Sequence, residues 1–320
     1  VEQLSIEERP SMPCGPREVR IEVTAAGVNY VDGLFIEGRY QIKPPLPFVP
    51  GNEVAGRISE VGSEVTSFSA GDRVFANVGL GGYVSEVVVD ARRVQHTPTA
   101  LTDGQAATFT QSYMTAWFAL HHRARATAGQ WLLVLGAGGG VGLAAVDVGR
   151  AMGLHVIAGA STDAKRAVAV AKGAIAALDT STADIKTATR DLLREVGGDA
   201  PPDGVDFVYD PVGGALGEQA LRTLRDDGQY LVIGFAGGGI PQLPANQVLL
   251  RNRRVTGVDW GGWVSRHQAE NVAMLADVVA AIERGELSPV EPTSYPLADV
   301  AVALRDQLER RVVGKTVLVP

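Results

Sequence analysis

The chain has 320 residues, 46% hydrophobic and 6% aromatic, with a net charge of -7. That length exceeds one ordinary domain and can bury a substantial core, so two domains are expected. The acidic balance and the absence of any basic cluster longer than "RNRRV" (Arg251–Val255) argue against a nucleic-acid surface, and a single cysteine, Cys14, excludes a disulfide framework or a thiolate-rich zinc site.

No apolar run approaches a membrane span and Val1 begins no secretory-signal pattern, so a cytoplasmic protein is expected. The first hundred residues read as short strands. "EVRIEVTAAG" alternates Val19, Ile21, Val23 and Ala25 against polar neighbours, and "GRISEVGSEV", "DRVFANV" and "GYVSEVVV" follow between Gly and Asp turns. This predicts an antiparallel, partly open barrel or sandwich. Between them lies "PLPFVPGNEVAG" (Pro45–Gly56), a proline-bounded loop that delivers Asn52 and Glu53 into a glycine turn but contains no His or Cys.

Near Leu101 the pattern changes. "LTDGQAATFTQSYMTAWFALHH" has helical spacing, with Ala106, Phe109, Tyr113 and Trp117 three or four residues apart. Buried strands "WLLVLG", "HVIAGA", "AIAALD", "VDFVYD" and "GQYLVIGF" then alternate with helical segments, the signature of a doubly wound parallel sheet. Of the tail, "RRVTGVDW" and "GKTVLVP" suit strands, while "RHQAENVAMLADVVAAIERGE" and "LADVAVALRDQLER" suit helices. Periodicity does not decide whether the tail rejoins the first domain.

"VLGAGGGVGLAA" leaves the first parallel strand and opens a helix. Gly136, Gly138, Gly139, Gly140, Val141 and Gly142 would form a sharp turn whose backbone approaches a pyrophosphate at a helix N-terminus. Ala137 stands where the first glycine of the G-x-G-x-x-G pattern belongs. About twenty residues on, NAD sites place an acid for the ribose hydroxyls. Here Ala160 holds that place, with Ser161, Thr162 and Lys165 beside it and Asp163 in the following turn. Hydroxyls and an ammonium receive a 2'-phosphate that a carboxylate would repel, which favours NADPH. "YDPVGG" and "IGFAGG" leave two further strands at the ligand-binding edge, and Gly234, Phe235 and Ala236 of the latter would line the nicotinamide pocket.

"GVNYVD", "PGNEVAG", "GDRV", "GGYVSE" and "GKTVL", together with the glycine turn, resemble the medium-chain dehydrogenase/reductase superfamily. Within it, the chain looks most like the zinc-free NADPH:quinone oxidoreductase branch, which includes zeta-crystallin-like proteins. The resemblance runs from about Glu18 to Val319. It implies an α/β chain with a GroES-like antiparallel catalytic domain (residues 1–125 and 261–320) around a Rossmann domain (126–260). It also implies a homodimer joined through the late Rossmann strands, around Ile240–Asp259.

Zinc-dependent relatives have a cysteine ligand where this chain has Asn29 and a histidine ligand at Asn52, so no metal is expected. The resemblance gives Asn29 a contact to nicotinamide, its ribose or substrate, or else a turn-capping role. Tyr40 is similar to a tyrosine near the substrate cleft that holds a carbonyl oxygen or donates a proton; otherwise it packs beneath the proline loop. Asn52 would meet substrate, Thr115 would lie near the nicotinamide ribose, and Asp32 and Glu53 would support the loops. Asp179 stands where some relatives have a phosphate-binding tyrosine, and it adds a negative charge there. His121 and His122 read as an ordinary helix end, and "DWGGW" (Asp259–Trp263) as a pocket wall, an interface or simple packing. The reaction implied is hydride transfer from NADPH to a quinone. The alternatives are reduction of an enone or enoyl thioester, or a cofactor-binding structural or nucleic-acid-associated protein with little catalysis.

Overall fold

The computed structural model describes residues 4–41, 43–182, 184–199 and 201–320. The chain opens with β1 (Glu18–Val28), α1 (Tyr30–Ile36), β2 (Glu53–Val61), β3 (Arg73–Asn77), β4 (Glu86–Asp90), β5 (Val94–His96) and α2 (Asp103–Trp117). Next come β6 (Trp131–Leu135), α3 (Gly140–Ala151), β7 (His155–Ala160), α4 (Asp163–Ala171), β8 (Ala176–Asp179) and α5 (Ile185–Val196). These lead into β9 (Val205–Asp210), α6 (Gly214–Ala220), β10 (Leu224–Val232), α7 (Ala245–Leu249), β11 (Arg254–Gly257), α8 (Trp260–Val264) and α9 (Gln268–Glu283). The chain finishes with β12 (Thr293–Pro296), α10 (Val300–Leu308) and β13 (Thr316–Val319).

Two compact units result, one of residues 1–111 and 289–320, the other of residues 112–288. In the first unit a seven-stranded sheet runs β12-β13-β1-β2-β3-β5, with β4 also on β1. The alternation read in β1 sends Val19, Ile21 and Val23 into a core shared with Val54, Val74 and Leu318. Two register shifts against β2, at Arg20/Ile21 and Val23/Ala25, mark where β1 bends. Along its other edge β1 pairs first with β4 and then, over Ala26–Val28, with β13. The C-terminal "GKTVL" therefore does rejoin the first domain. β12 lies parallel to β13, a departure from the otherwise antiparallel sheet that strand patterning could not reveal.

In the second unit every strand pairing is parallel, in the order β11-β10-β9-β6-β7-β8. The chain leaves β6 for β7 and β8, then crosses back to β9, so the switch point lies between β6 and β9. There an open sheet of this kind leaves a crevice at its C-terminal edge. β9 is buried at all six positions, as a strand covered on both faces must be. α5 shows the complementary pattern, burying Ile185, Thr189 and Leu193 at four-residue spacing.

The family resemblance implies domain joins near 125/126 and 260/261, whereas the compact units divide at 111/112 and 288/289. Asp147, fully buried on α3, explains the difference. It accepts from Tyr113 Oη at 2.8 Å and from the Ser288 N–H at 2.8 Å, and it pairs with Arg150. The end of α2 and the chain following α9 are thereby bound to the parallel-sheet unit. Among the described residues no helix is long and apolar enough to cross a membrane.

Candidate active site

The switch-point crevice is built around the turn between β6 and α3. α3 begins after Gly139, which caps it with backbone alone, so its first N–H groups are left for a ligand. A methyl group on Gly142 would lie 2.2 Å from the Gly136 carbonyl oxygen, and one on Gly138 would lie 2.4 Å from Lys165 Cβ. Only glycine permits this closeness. The second contact lays the Lys165 stem directly on the turn, so the ends of β6 and β7 form one surface.

The loops after β9 and β10 complete this edge. Ala236 N–H donates to the Pro211 carbonyl, Gly237 N–H to Val212, and Gly214 N–H to Gly239. Asp210 holds the first loop from beneath, accepting from the Val212 and Gly213 N–H groups at 2.7 and 2.9 Å and from the Tyr230 hydroxyl. Burial raises the Asp210 carboxyl above its ordinary range, while these donors pull it back. Gly234 follows the end of β10 and donates to the Asp210 carbonyl, and the Phe235 side chain stays partly exposed. The edge therefore fits a dinucleotide: a bare helix N-terminus, glycines without room for side chains, and two stitched loops beside them.

At the end of β7, Ser161 is exposed, and the Thr162 hydroxyl caps α4 by accepting from the Lys165 N–H at 3.3 Å. Asp163 points outward, its side chain 99% exposed and paired with Arg166. Arg166 also donates to the Ala160 carbonyl at 3.0 Å and pairs with Asp179 at 3.2 Å. The negative charge expected at Asp179 thus has a cationic neighbour, and bonds from Ser181, with Arg166 beside it, hold its carboxyl below the usual range. Sequence reading missed Arg166. Its position one residue past Lys165, facing the strand end, was the available signal.

The first unit carries a different polar centre. Asn29 caps α1 and is only 5% exposed. Its amide nitrogen donates to Asn52 Oδ1 at 3.1 Å and to Glu53 Oε2 at 2.8 Å, and its oxygen accepts from Lys315 Nζ at 2.6 Å. Glu53 Oε1 takes the Gln111 N–H at 2.7 Å, and the Gln111 side chain accepts from Asn52 Nδ2 at 2.9 Å. Asp32 Oδ2 accepts from the Asn29 N–H and the Tyr83 hydroxyl, both at 2.8 Å. Burial pushes the Asp32 carboxyl up to about 7, despite the two donors that favour its charged form. Burial also lowers Lys315, against the pull of Glu53 and Asp32.

Asn29 therefore spends its amide inside this network, in which Asn52 and Gln111 are half-buried. Lys315, Gln111 and Tyr83 were not among the expected site residues. "GKTVL" and "GGYVSE" contain two of them, but only the pairing of β13 with β1 brings Lys315 beside Asn29.

A zinc ion does not fit here. Two carboxamides offer neither thiolate nor imidazole, and the Asn29 oxygen faces a buried ammonium that would repel a dication. Among the described residues no three His, Cys, Asp or Glu side chains are placed to hold a metal.

Tyr40 is half-buried, its ring edge-on to Phe35 at 4.8 Å. Thr115 lies half-buried on α2, in the parallel-sheet unit. His121 stacks on Trp117 at 4.1 Å, in the π-helical turn that ends this helix. Trp263 of "DWGGW" stacks on His267 and packs against Phe118, so packing accounts for it.

Residues 140–277 match the zinc-binding dehydrogenase family, and residues 15–99 match the alcohol dehydrogenase GroES-like domain. Quinone oxidoreductase-like protein 2 of Bos taurus is 35% identical over 316 residues, covering 98% of this chain and 88% of its own. A solved structure of a probable oxidoreductase from Mycobacterium abscessus is 35% identical, with a TM-score of 0.84, over 97% of this chain and 92% of that one. The quinone oxidoreductase of Thermus thermophilus, also solved in complex with NADPH, is 29% identical, with a TM-score of 0.81, over 99% and 96% of the two chains. With both sheets, the glycine turn and a polar centre that offers carboxamides where zinc would need thiolate and imidazole, the chain belongs to the zinc-independent quinone oxidoreductase-like branch of the medium-chain dehydrogenase/reductase superfamily.

Proposed function

We propose that this protein is an NADPH-dependent reductase whose acceptor is a quinone. The observation that carries the reading is the contrast between its two centres. A glycine turn with Lys165 laid across it suits a phosphorylated dinucleotide, while the positions that match zinc ligands in relatives, Asn29 and Asn52, are carboxamides, and Asn29 bonds the Lys315 ammonium. The quinone oxidoreductase solved with NADPH supports the cofactor, and the 35% identical relative supports the acceptor class.

In this reading Gly136, Gly138, Gly139, Gly140, Val141 and Gly142 receive the pyrophosphate. Ser161, Thr162 and Lys165, with Arg166 behind them, receive the 2'-phosphate. Gly234, Phe235 and Ala236 flank the nicotinamide, and Thr115 meets its ribose. When bound, NADPH supplies a hydride, which brings two electrons and one proton to the acceptor. The second proton comes from the Tyr40 hydroxyl or from water, and Asn52 donates an N–H to the oxygen on which charge develops. Asn29 acts as a positioning residue, fixing Asn52 through its own amide. An enone or an enoyl thioester has the same hydride geometry and is the alternative acceptor.

The protein acts as a homodimer in the cytoplasm. Support for the dimer comes from β11, the edge strand of the parallel sheet among the described residues, and from exposed Ile240, Leu249 and Leu250 in the segment that leads into it and Val255 within it. A lone thiol, Cys14, suits a reducing compartment. The net charge of -7 argues against nucleic acid as a partner.

Initial rates with NADPH and a panel of quinones, enones and enoyl thioesters test the assignment. Quinones should give the highest kcat/KM. Faster turnover of an alkene would move the assignment to that class, and turnover of none would remove it.

A further inference from the structure

A cavity of about 380 Å³ opens in the parallel-sheet unit where β9 and β10 begin. Gly204, Leu224 and Arg253 line it, each at or beside the N-terminal end of its strand. It therefore lies at the opposite edge of the sheet from the glycine turn. Its volume falls within the roughly 300–1,000 Å³ of small-molecule sites.

The lining is unusual for a chain of net charge -7. Lys186 and Arg190 of α5 meet Arg222, Arg251 and Arg253 there, against one acid in the wall, Asp203. Arg251 shares its charge with Asp203 at 3.3 Å and Asp226 at 3.1 Å, and Arg190 pairs at 3.5 Å with exposed Asp191. That leaves a positive excess. Arg253 is only 6% exposed, donates to the Leu224 and Gln247 carbonyls, and leaves its Nε without a hydrogen-bond partner among the described residues. Thr189, 1% exposed, likewise leaves its hydroxyl unpartnered in the same wall. Burial and neighbouring Arg251 push Arg253 below its ordinary value, against the pull of Asp226.

Buried polar groups without partners carry a cost that a ligand removes. A guanidinium matches phosphate oxygens in pairs, and a hydroxyl supplies one more bond. We propose that this cavity is a second ligand site, which takes a small phosphorylated anion independently of the dinucleotide. Arg190, Arg222 and Lys186 form its mouth, and Arg253 and Thr189 its floor.

The test is calorimetric titration of the full chain with pyrophosphate at constant ionic strength. Arg190→Ala/Arg222→Ala removes two exposed arginines from the mouth. Arg9→Ala/Arg92→Ala removes the same charge from the other unit. Saturable binding should weaken tenfold or more in the first variant and stay unchanged in the second, while NADPH affinity is constant in both. Binding at the glycine turn would survive the first substitution. An absence of saturable binding, equal binding by wild type and the mouth variant, or equal loss in both variants would overturn the proposal.

Discussion

Lys315 donates its ammonium to the Asn29 oxygen at 2.6 Å, joining the last strand of the chain to the loop after its first. Lys315 is 8% exposed and Glu53, whose carboxylate binds the other end of the Asn29 amide, is 2% exposed. The amide thus bridges a buried cation and a buried carboxylate. Removing one member of such a set strands the other charge, which typically costs about 3–5 kcal/mol. Lys315→Met should therefore lose stability of that order in urea, and Lys315→Met/Glu53→Gln should recover at least half. A loss below about 1 kcal/mol in the single variant would show that the bridge is not what holds these loops.

Asp32 gives this centre a pH dependence. Its carboxyl moves from an ordinary 3.8 to about 7 on folding, chiefly through burial. Between those values the folded chain keeps a proton that the unfolded chain has released, so stability falls as pH rises from about 4 to about 7. Urea midpoints of wild type should decline across that window, and those of Asp32→Asn should decline less. Parallel curves would assign the pH dependence to other groups.

The 2'-phosphate corner predicts selectivity. Lys165→Ala removes one charge-assisted contact, worth about 1.5–3 kcal/mol, and should raise KM for NADPH about tenfold or more while leaving NADH nearly unchanged. Arg166→Ala should act in the same direction, because it also leaves Asp179 without the cation 3.2 Å away. Equal changes for both cofactors would place these residues in support of the turn instead.

Tyr40→Phe separates a proton donor from a packing ring. As a donor its loss should lower kcat about a hundredfold without changing NADPH affinity. An unchanged kcat would assign that proton to water and leave the ring a packing role, which includes its edge contact with Phe35.

Much of this was legible in the chain itself. The apolar runs from "WLLVLG" onward announce the parallel sheet because strands covered on both faces need no polar side. The glycine turn was readable because its spacing reflects backbone contacts, as Gly142 against Gly136 shows. What sequence could not give was long-range pairing. Lys315 and Asn29 lie 286 residues apart, and no local period links them. The same holds for Asp147, whose bonds to Tyr113 and Ser288 tie both ends of the inserted segment to the second unit. The unit edges were therefore beyond reach. Asn29 was expected to meet a ligand or to cap a turn. A motif does not encode the burial that ties its amide to Asn52, Glu53 and Lys315.

The central claim is that this chain reduces its acceptor with NADPH and without a metal. The most direct measurement is NADPH oxidation by a simple quinone, followed by reduced-nicotinamide absorbance, before and after exhaustive dialysis against a chelator. Saturable turnover unchanged by the chelator, with hydroquinone formed mole for mole, is the predicted result. Turnover that vanishes with the chelator and returns on addition of zinc would contradict it.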